Sequence, residues 1–473
     1  MAAQCKGTKK ETIRAEKREA KAKRRAAERR NLINKNKRLV LKVETLEDEI
    51  ARLNQLLEGN PVANHKYNDN TILLCILGCI INNISYRGMS NLMQSIDELK
   101  GKSQKRISPS TIRNWCHRIG LYFIMNVDIK GKHAIIMDES ITIGQQKILL
   151  ILAVPIIENQ SRIAPLNMKD VKVVHVACAK SWNAAKISKI IKEKVSHKGI
   201  EIEHGISDNS SILKKAFANC NILWISDCTH VVANAVKSTY KHDEEFNNFI
   251  KLTNLTRARW ALSQHVVYIP PAIRGKARFH QILDVHRWAE MILANWSDLP
   301  QAAREELEYV AKNVDLIHSM KLIKMISEEF ALVFKCYGIN HETAKVWQAK
   351  YDNNWKQQYE AQLNIHPKLG VFLEKINDYV KEIVGKLEDY SAPLICCSDV
   401  IESMFGKYKH KGLAKEITDD ILTIALYTQQ LSVADISAAL KQIHTKTLIK
   451  WKAENTTKSV KVQRKNMNKN KVA

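Results

Sequence analysis

Three apolar runs in close succession, followed by alternating helix-like and strand-like segments, limit what residues 133–240 can fold into. HAIIMDES, QQKILLILAVPII and VKVVHVACA are of strand length and rich in Ile, Leu and Val. Runs this continuous mark strands buried on both faces. NAAKISKIIKEKVSHKG then reads as a helix, IEIEHGIS as a fourth strand and SSILKKAFANC as a helix. NILWIS reads as a fifth strand, and another helix starts after Asp227. Consecutive strands close as antiparallel hairpins, whereas strands separated by a helix need parallel crossovers. The expectation is an α/β fold built on a mixed sheet.

That order of elements is the order of an RNase H-like core, and three acids fall where such a core holds metal. Asp138 ends the first run, Asp208 follows IEIEHGIS, and Glu402 lies in CCSDVIESMFGKYK. The last segment reads as a helix start, with Ser398 or Asp399 as N-cap. Phosphodiester cleavage needs an activated oxygen nucleophile and a stabilised leaving oxygen, and two divalent ions about 3.5–4 Å apart serve both. Mg²⁺ takes hard oxygen ligands, usually a few carboxylates plus substrate phosphate. In this reading Asp138 is shared between two Mg²⁺ ions, Asp208 and Glu402 each complete one, and Mn²⁺ can substitute. Asp227 also follows an apolar strand and is the alternative second ligand. The choice depends on which strand lies beside that of Asp138, and the strand count favours Asp208. His230 is either an accessory phosphate or leaving-group contact or a capping or core histidine. Glu139 directly follows Asp138, so it points to the opposite face.

Charge points to the partner. The 473 residues carry a formal net charge of +25, concentrated at the ends. Residues 1–42 hold 16 Lys/Arg against 4 Asp/Glu, and residues 446–473 hold 9 against 1. Basic ends on a near-neutral body suit a polyanion, most simply DNA. Within residues 1–60 a basic, helix-prone lead-in runs into a heptad, with Leu32, Leu39, Leu46 and Leu53 at d and Asn36, Val43, Ile50 and Leu57 at a. One polar Asn at an a position suits a parallel two-stranded coiled coil and hence a homodimer. A basic helix entering a zipper also looks like a bZIP reader, but the Asn-x-x-Ala-Ala arrangement of such readers is missing. The ten cysteines form no CxxC pair or metal-finger spacing and read as reduced thiols. The apolar run TILLCILGCII has 11 residues, too few to span a bilayer, and no signal peptide opens the chain. A cytoplasmic, nucleoid-associated protein is expected.

Residues 61–130 read as a small helical domain of helix-turn-helix type. In SPSTIRNWCHRIGLYF, Ile112, Trp115, Cys116 and Ile119 mark one apolar face. The other face is left with Arg113, Asn114, His117 and Arg118 as candidate DNA contacts. Residues 131–240 are the first part of the core, 241–390 an all-helical insertion, 391–430 the Glu-bearing helix of the core, and 431–473 a C-terminal helix and basic tail. The insertion contains Trp260, Trp288 and Trp296, read as core. Arg257 and Arg259 beside Trp260 make that segment its DNA candidate. On the Glu402 helix, Lys407 and Lys409 are further candidates.

The strings MDESITIGQQKILLILAV, GISDNSSILKKAF, ISDCTHVVANAVK and SDVIESMFGKYK resemble motif blocks of DDE transposases from bacterial insertion sequences, over roughly residues 66–430. The plan, with a helical insertion before the Glu helix, is similar to that of hAT-type cut-and-paste transposases. The resemblance implies that Asp138, Asp208 and Glu402 are the metal-binding triad. It also implies an enzyme that binds element ends, cleaves DNA with Mg²⁺ and joins the 3′ end to a target. The chain departs from those patterns in two places. Where hAT-type enzymes have Cys-x-x-His, it has Cys228-Thr229-His230. Of a Tyr, Arg, Glu, Lys set along the Glu helix only Glu402 and Lys409 match, with Ile395 and Ser398 at the other two positions. The rival expectations are a non-catalytic DNA-binding protein, either a bZIP-like regulator or a domesticated transposase, and an RNase H-like structure-selective nuclease.

Overall fold

The computed structural model describes residues 2–58, 60–62, 65–101, 106–141, 146–156, 165–273, 278–357, 360, 368–387, 393–410, 419–457, 464 and 467. The chain divides into two units, Met1–Ile76 with Ser432–Ser437, and Leu77–Leu431 with Ala438–Ala473.

In the first unit, α1 (Ala2–Glu58) is a single 57-residue helix, about 85 Å long at the standard rise of 1.5 Å per residue. The heptad residues Leu32, Leu39, Val43, Leu46 and Ile50 are all solvent-exposed along it. The chain then turns through a bridge between Pro61 and Asn68 into α2 (Asp69–Ile80). Buried Asp69 fixes that turn by accepting from the Asn60 amide at 2.7 Å. The apolar run TILLCILGCII lies almost wholly within α2, and among the described residues no helix is long and apolar enough to cross a membrane.

The second unit is built on a five-stranded mixed sheet in the order β3-β2-β1-β4-β5. The central strand, β1 (Gly131–Ile141), pairs antiparallel with β2 (Lys147–Pro155), which pairs antiparallel with β3 (Lys172–Ala179). On its other side β1 pairs in parallel with β4 (Ile200–Ser207), and β4 with β5 (Leu223–Ser226). The hairpins and crossovers follow the expected α/β order. Ala134, Ile135, Ile136 and Met137 are fully buried, so both faces of β1 are covered. On one face α5 (Ala184–Ile190) and α6 (Ser211–Ala218) pack over Ile135, Met137, Leu149 and Ile151. The fit is tight at Gly205, where a Cβ would lie 1.9 Å from the ring of Phe217.

Helices precede and follow the sheet. The polar stretch after α2 is α3 (Tyr86–Leu99), capped by Ser85. Next comes α4 (Pro109–Met125), begun by Ser108, whose Oγ accepts from the Thr111 amide at 3.1 Å. The two-faced helix expected here is not found: residues 115–121 are buried without interruption. The helix is clasped by the tightly wound segment Asp419–Thr428, and a Cβ on Gly120 would lie 2.2 Å from the Leu422 carbonyl oxygen. The insertion is helical as expected. After α7 (Cys228–Tyr240), which follows β5, it runs from α8 (Glu244–Trp260) through Arg278–Ala294, Val314–Tyr337, His341–Lys350 and Leu369–Val384. Its core holds Phe249, Trp260, Phe330, Phe334, Trp347 and Phe372.

Candidate active site

Asp138 is the eighth residue of β1, and Asp208 is the first residue after β4. Because β4 lies in parallel beside β1, both acids come to the same end of neighbouring strands. The helix Asp399–His410, which carries Glu402, packs on β1. Local bonds fix the first two carboxylates. Asp138 Oδ1 accepts from the Glu139 amide at 2.7 Å, and Asp208 Oδ1 accepts from the Ser210 amide at 3.0 Å. Glu402 has about half of its side chain exposed to solvent (54%).

The three acids feel one another. Burial raises the Asp138 carboxyl to about 6, helped by the negative charges of Asp208 and Glu402 and opposed by the Glu139 amide and the charge of His230. Repulsion of this kind is relieved by a cation, and an all-carboxylate oxygen set suits a hard one such as Mg²⁺.

His230 stands at the centre of this acidic group. Its Nε2 is 3.4 Å from Glu402 Oε1, and its Nδ1 donates to Asp227 Oδ1 at 3.1 Å. The hydrogen bond to Asp227 raises the imidazole to about 9 against the effect of burial, and the charges of Asp227, Glu402 and Asp208 add to the rise. His230 is therefore a cation at neutral pH.

Asp227 has a different setting from Asp208. It caps α7, with Oδ1 accepting from the His230 amide at 2.7 Å and Oδ2 accepting from the Ser398 amide. Its strand, β5, pairs with β4 and not with β1. Burial pushes its carboxyl up, but the bond and charge of His230 and the Ser398 amide together bring it below the ordinary range. Both oxygens are thus engaged in orienting His230 and in tying the start of α7 to the start of the Glu402 helix.

The same joint holds a cluster that the sequence reading did not find. Asp227, Cys397 and Asp399 each present a ligand atom within 4.8 Å of the others, the one such metal-sized group among the described residues. Asp399 accepts from Thr229 Oγ1 at 2.8 Å and pairs with Lys335, so an ammonium already supplies its counter-charge. Hydrogen bonding to Cys228 and burial hold the Cys397 thiol far above its ordinary range. Asp399 is the first residue of the helix, so of the two expected N-caps Ser398 holds that position, and its carbonyl accepts from the Ile401 amide at 2.9 Å. The only sequence signal was the pair of capping strings SDCTH and CCSD, which say nothing of their meeting.

The candidate DNA contacts divide. Arg113 pairs with Asp419 at 2.5 Å and Asp420 at 3.1 Å, and His117 Nε2 lies 2.6 Å from Asp420 Oδ1. Buried Arg118 donates to the carbonyls of Leu440 and Ile443, and the Asn114 Oδ1 is also buried. His117 and Arg118 are thus buried in packing contacts, whereas Arg113 and Asn114 are half-buried, so the four do not form one exposed face on α4. Arg257 donates to the Pro270 carbonyl at 2.5 Å, and exposed Arg259 lies 3.7 Å from Glu306. Trp260 and Trp288 are core residues, with indole nitrogens bonded to Glu306 at 3.0 Å and the Tyr268 carbonyl at 2.9 Å. Lys407 lies over the Tyr427 ring at 4.8 Å, whereas Lys409 is exposed. Glu139 turns to Lys147 at 2.9 Å.

In comparison with known proteins, no family model matches this chain and no curated protein matches it.

Proposed function

We propose that this chain is a DDE-type DNA transposase with an RNase H-like core, using Asp138, Asp208 and Glu402 to cut DNA and join it to a target. One observation carries the reading. Acids from a central strand, the end of its parallel neighbour and a helix almost 200 residues later act on one another at one end of the sheet. The strand order β3-β2-β1-β4-β5, with β2 alone antiparallel to the other four, agrees with it.

The three carboxylates would hold two Mg²⁺ ions, for which Mn²⁺ can substitute, and such ions activate an attacking oxygen and stabilise a leaving oxygen. Asp227 orients His230 so that its cationic Nε2 faces the position of Glu402, where it can donate to a substrate phosphate. Lys409 offers a second phosphate contact two turns along the same helix. The first step is attack by water at the 3′ end of the element, and the second is attack by the freed 3′ hydroxyl on target DNA. The exposed basic residues of α1, among them Arg24, Arg25, Arg29 and Arg30, bind the phosphate backbone. The exposed heptad of α1 pairs two copies of the chain.

The test is cleavage of duplexes taken from the DNA flanking this reading frame. Wild-type protein with Mg²⁺ is expected to nick at the 3′ ends and give joined products. Asp138→Asn, Asp208→Asn and Glu402→Gln should each lower the rate by more than about a hundredfold, exceeding the loss usual for residues that merely support a ligand. Cutting without joining would identify a nuclease, and binding without cutting a non-catalytic protein.

A further inference from the structure

A second cleft lies away from the carboxylates. Its volume is about 320 Å³, within the range of small-molecule sites. It is walled by the end of α4, by β3, by the turn after α5 and by the C-terminal helix Thr445–Asn455. Register places it apart from the candidate active site. Asp138 pairs with Leu150, whereas His175 pairs with Ile151, the partner of Met137. Paired residues share a face and successive residues alternate, so His175 stands on the face opposite Asp138.

The lining is mostly apolar, and its charged groups are mostly cationic. Lys194, Lys198 and Lys450 face it with a single acid, Glu454. Among the described residues none of these three lysines is in an ion pair, and Lys198 donates only to the Ile124 carbonyl. His175 forms part of the wall, is 6% exposed, and its Nε2 has no hydrogen-bond partner. A buried ring nitrogen without a partner is unfavourable unless a ligand satisfies it. Burial and the charges of Lys198 and Lys194 lower His175 to about 4, and burial lowers Lys198 to about 8. The imidazole is therefore neutral at physiological pH, and an anion bound between the lysines would favour their charged forms. Trp451 adds a half-buried aromatic surface beside the cations.

We propose that this cleft is a binding site for a nucleoside monophosphate, with the phosphate among Lys194, Lys198 and Lys450, the base against Trp451, and a sugar hydroxyl on Glu454. Ring, cation and acid together fit a nucleotide better than a bare anion. Trp451 would have no role with inorganic phosphate, and Glu454 would repel it. The ligand is either a free nucleotide or the 5′-phosphorylated end of a single strand, which present the same chemistry.

Calorimetric titration of the full-length protein in EDTA tests this, because chelation removes any metal-dependent binding at the carboxylates. AMP is expected to bind, with adenosine and inorganic phosphate each at least about tenfold weaker, the scale of one lost charge-assisted contact. Exposed Lys450→Ala should weaken AMP about tenfold with unchanged thermal stability, and Trp451→Leu should do the same if its melting point matches wild type. Glu402→Gln should leave AMP binding intact, so a failure of the catalytic proposal is separable from a failure here. A 5′-phosphorylated trinucleotide that competes with AMP identifies a strand end as the ligand, and one that does not identifies the free nucleotide. No heat with AMP at about 1 mM, equal affinity for inorganic phosphate, or an unchanged Kd in Lys450→Ala would overturn the proposal.

Discussion

Asp420 offers the sharpest test of how α4 is held. It is 3% exposed, and its Oδ1 receives His117 Nε2 at 2.6 Å, Arg113 Nε at 3.1 Å and the Tyr86 hydroxyl at 3.1 Å. Burial pushes this carboxyl up, but the bond and charge of His117 and the charge of Arg113 bring it down to about 2. An unfolded Asp titrates near 3.9, so the difference corresponds to about 2–3 kcal/mol of stability at pH 7. Removing one partner of a buried ionic network costs about 3–5 kcal/mol in general, the same scale. The folded value is depressed, so this contribution is complete above the unfolded value and is lost as pH falls toward the folded one. Asp420→Asn should therefore lose about 2–3 kcal/mol against wild type at pH 7, and the gap should narrow between about pH 4 and pH 2. Denaturant unfolding followed by tryptophan fluorescence at a series of pH values measures it. A gap below about 0.5 kcal/mol at pH 7, or one that widens as pH falls, would refute the reasoning.

Three other outcomes follow from named contacts. Asp227→Asn removes the negative charge facing Nδ1, so the His230 imidazole should fall from about 9 toward the ordinary value of roughly 6.5 in an NMR titration, and an unchanged value would contradict the role given to Asp227. Gly205→Ala drives a methyl into the Phe217 ring and should destabilise by about 1–3 kcal/mol, with partial rescue by Phe217→Leu; additive losses would argue against the contact. Leu39→Asp with Leu46→Asp should leave a monomer in sedimentation equilibrium if α1 pairs two chains, and an intact dimer would place the interface elsewhere.

The strands were legible because β1 and β2 are covered on both faces, and complete burial leaves uninterrupted apolar runs in the sequence. The helical insertion was legible from its apolar spacing. What the sequence could not show is pairing across long separations. Arg113, His117 and Arg118 look like a polar face only while Asp419, Asp420 and the carbonyls of Leu440 and Ile443 are out of view, and those lie more than 300 residues along the chain. The choice between Asp208 and Asp227 had the same origin. Both follow an apolar strand and precede a helix, and only the lateral order of strands puts one beside β1 and makes the other a helix cap. The joint of Cys397 and Asp399 with Asp227 was equally hidden, since each side alone reads as an ordinary helix start.

Metal binding tests the central claim most directly. Titration of metal-free protein with Mn²⁺, followed by electron paramagnetic resonance, counts bound ions without any DNA substrate. The account expects two ions per chain in wild type, one after Glu402→Gln or Asp208→Asn, and none after Asp138→Asn, because Asp138 is shared. Unchanged stoichiometry in all three variants, with binding lost instead in Asp399→Asn or Cys397→Ser, would contradict it and move the metal to the joint between α7 and the Glu402 helix.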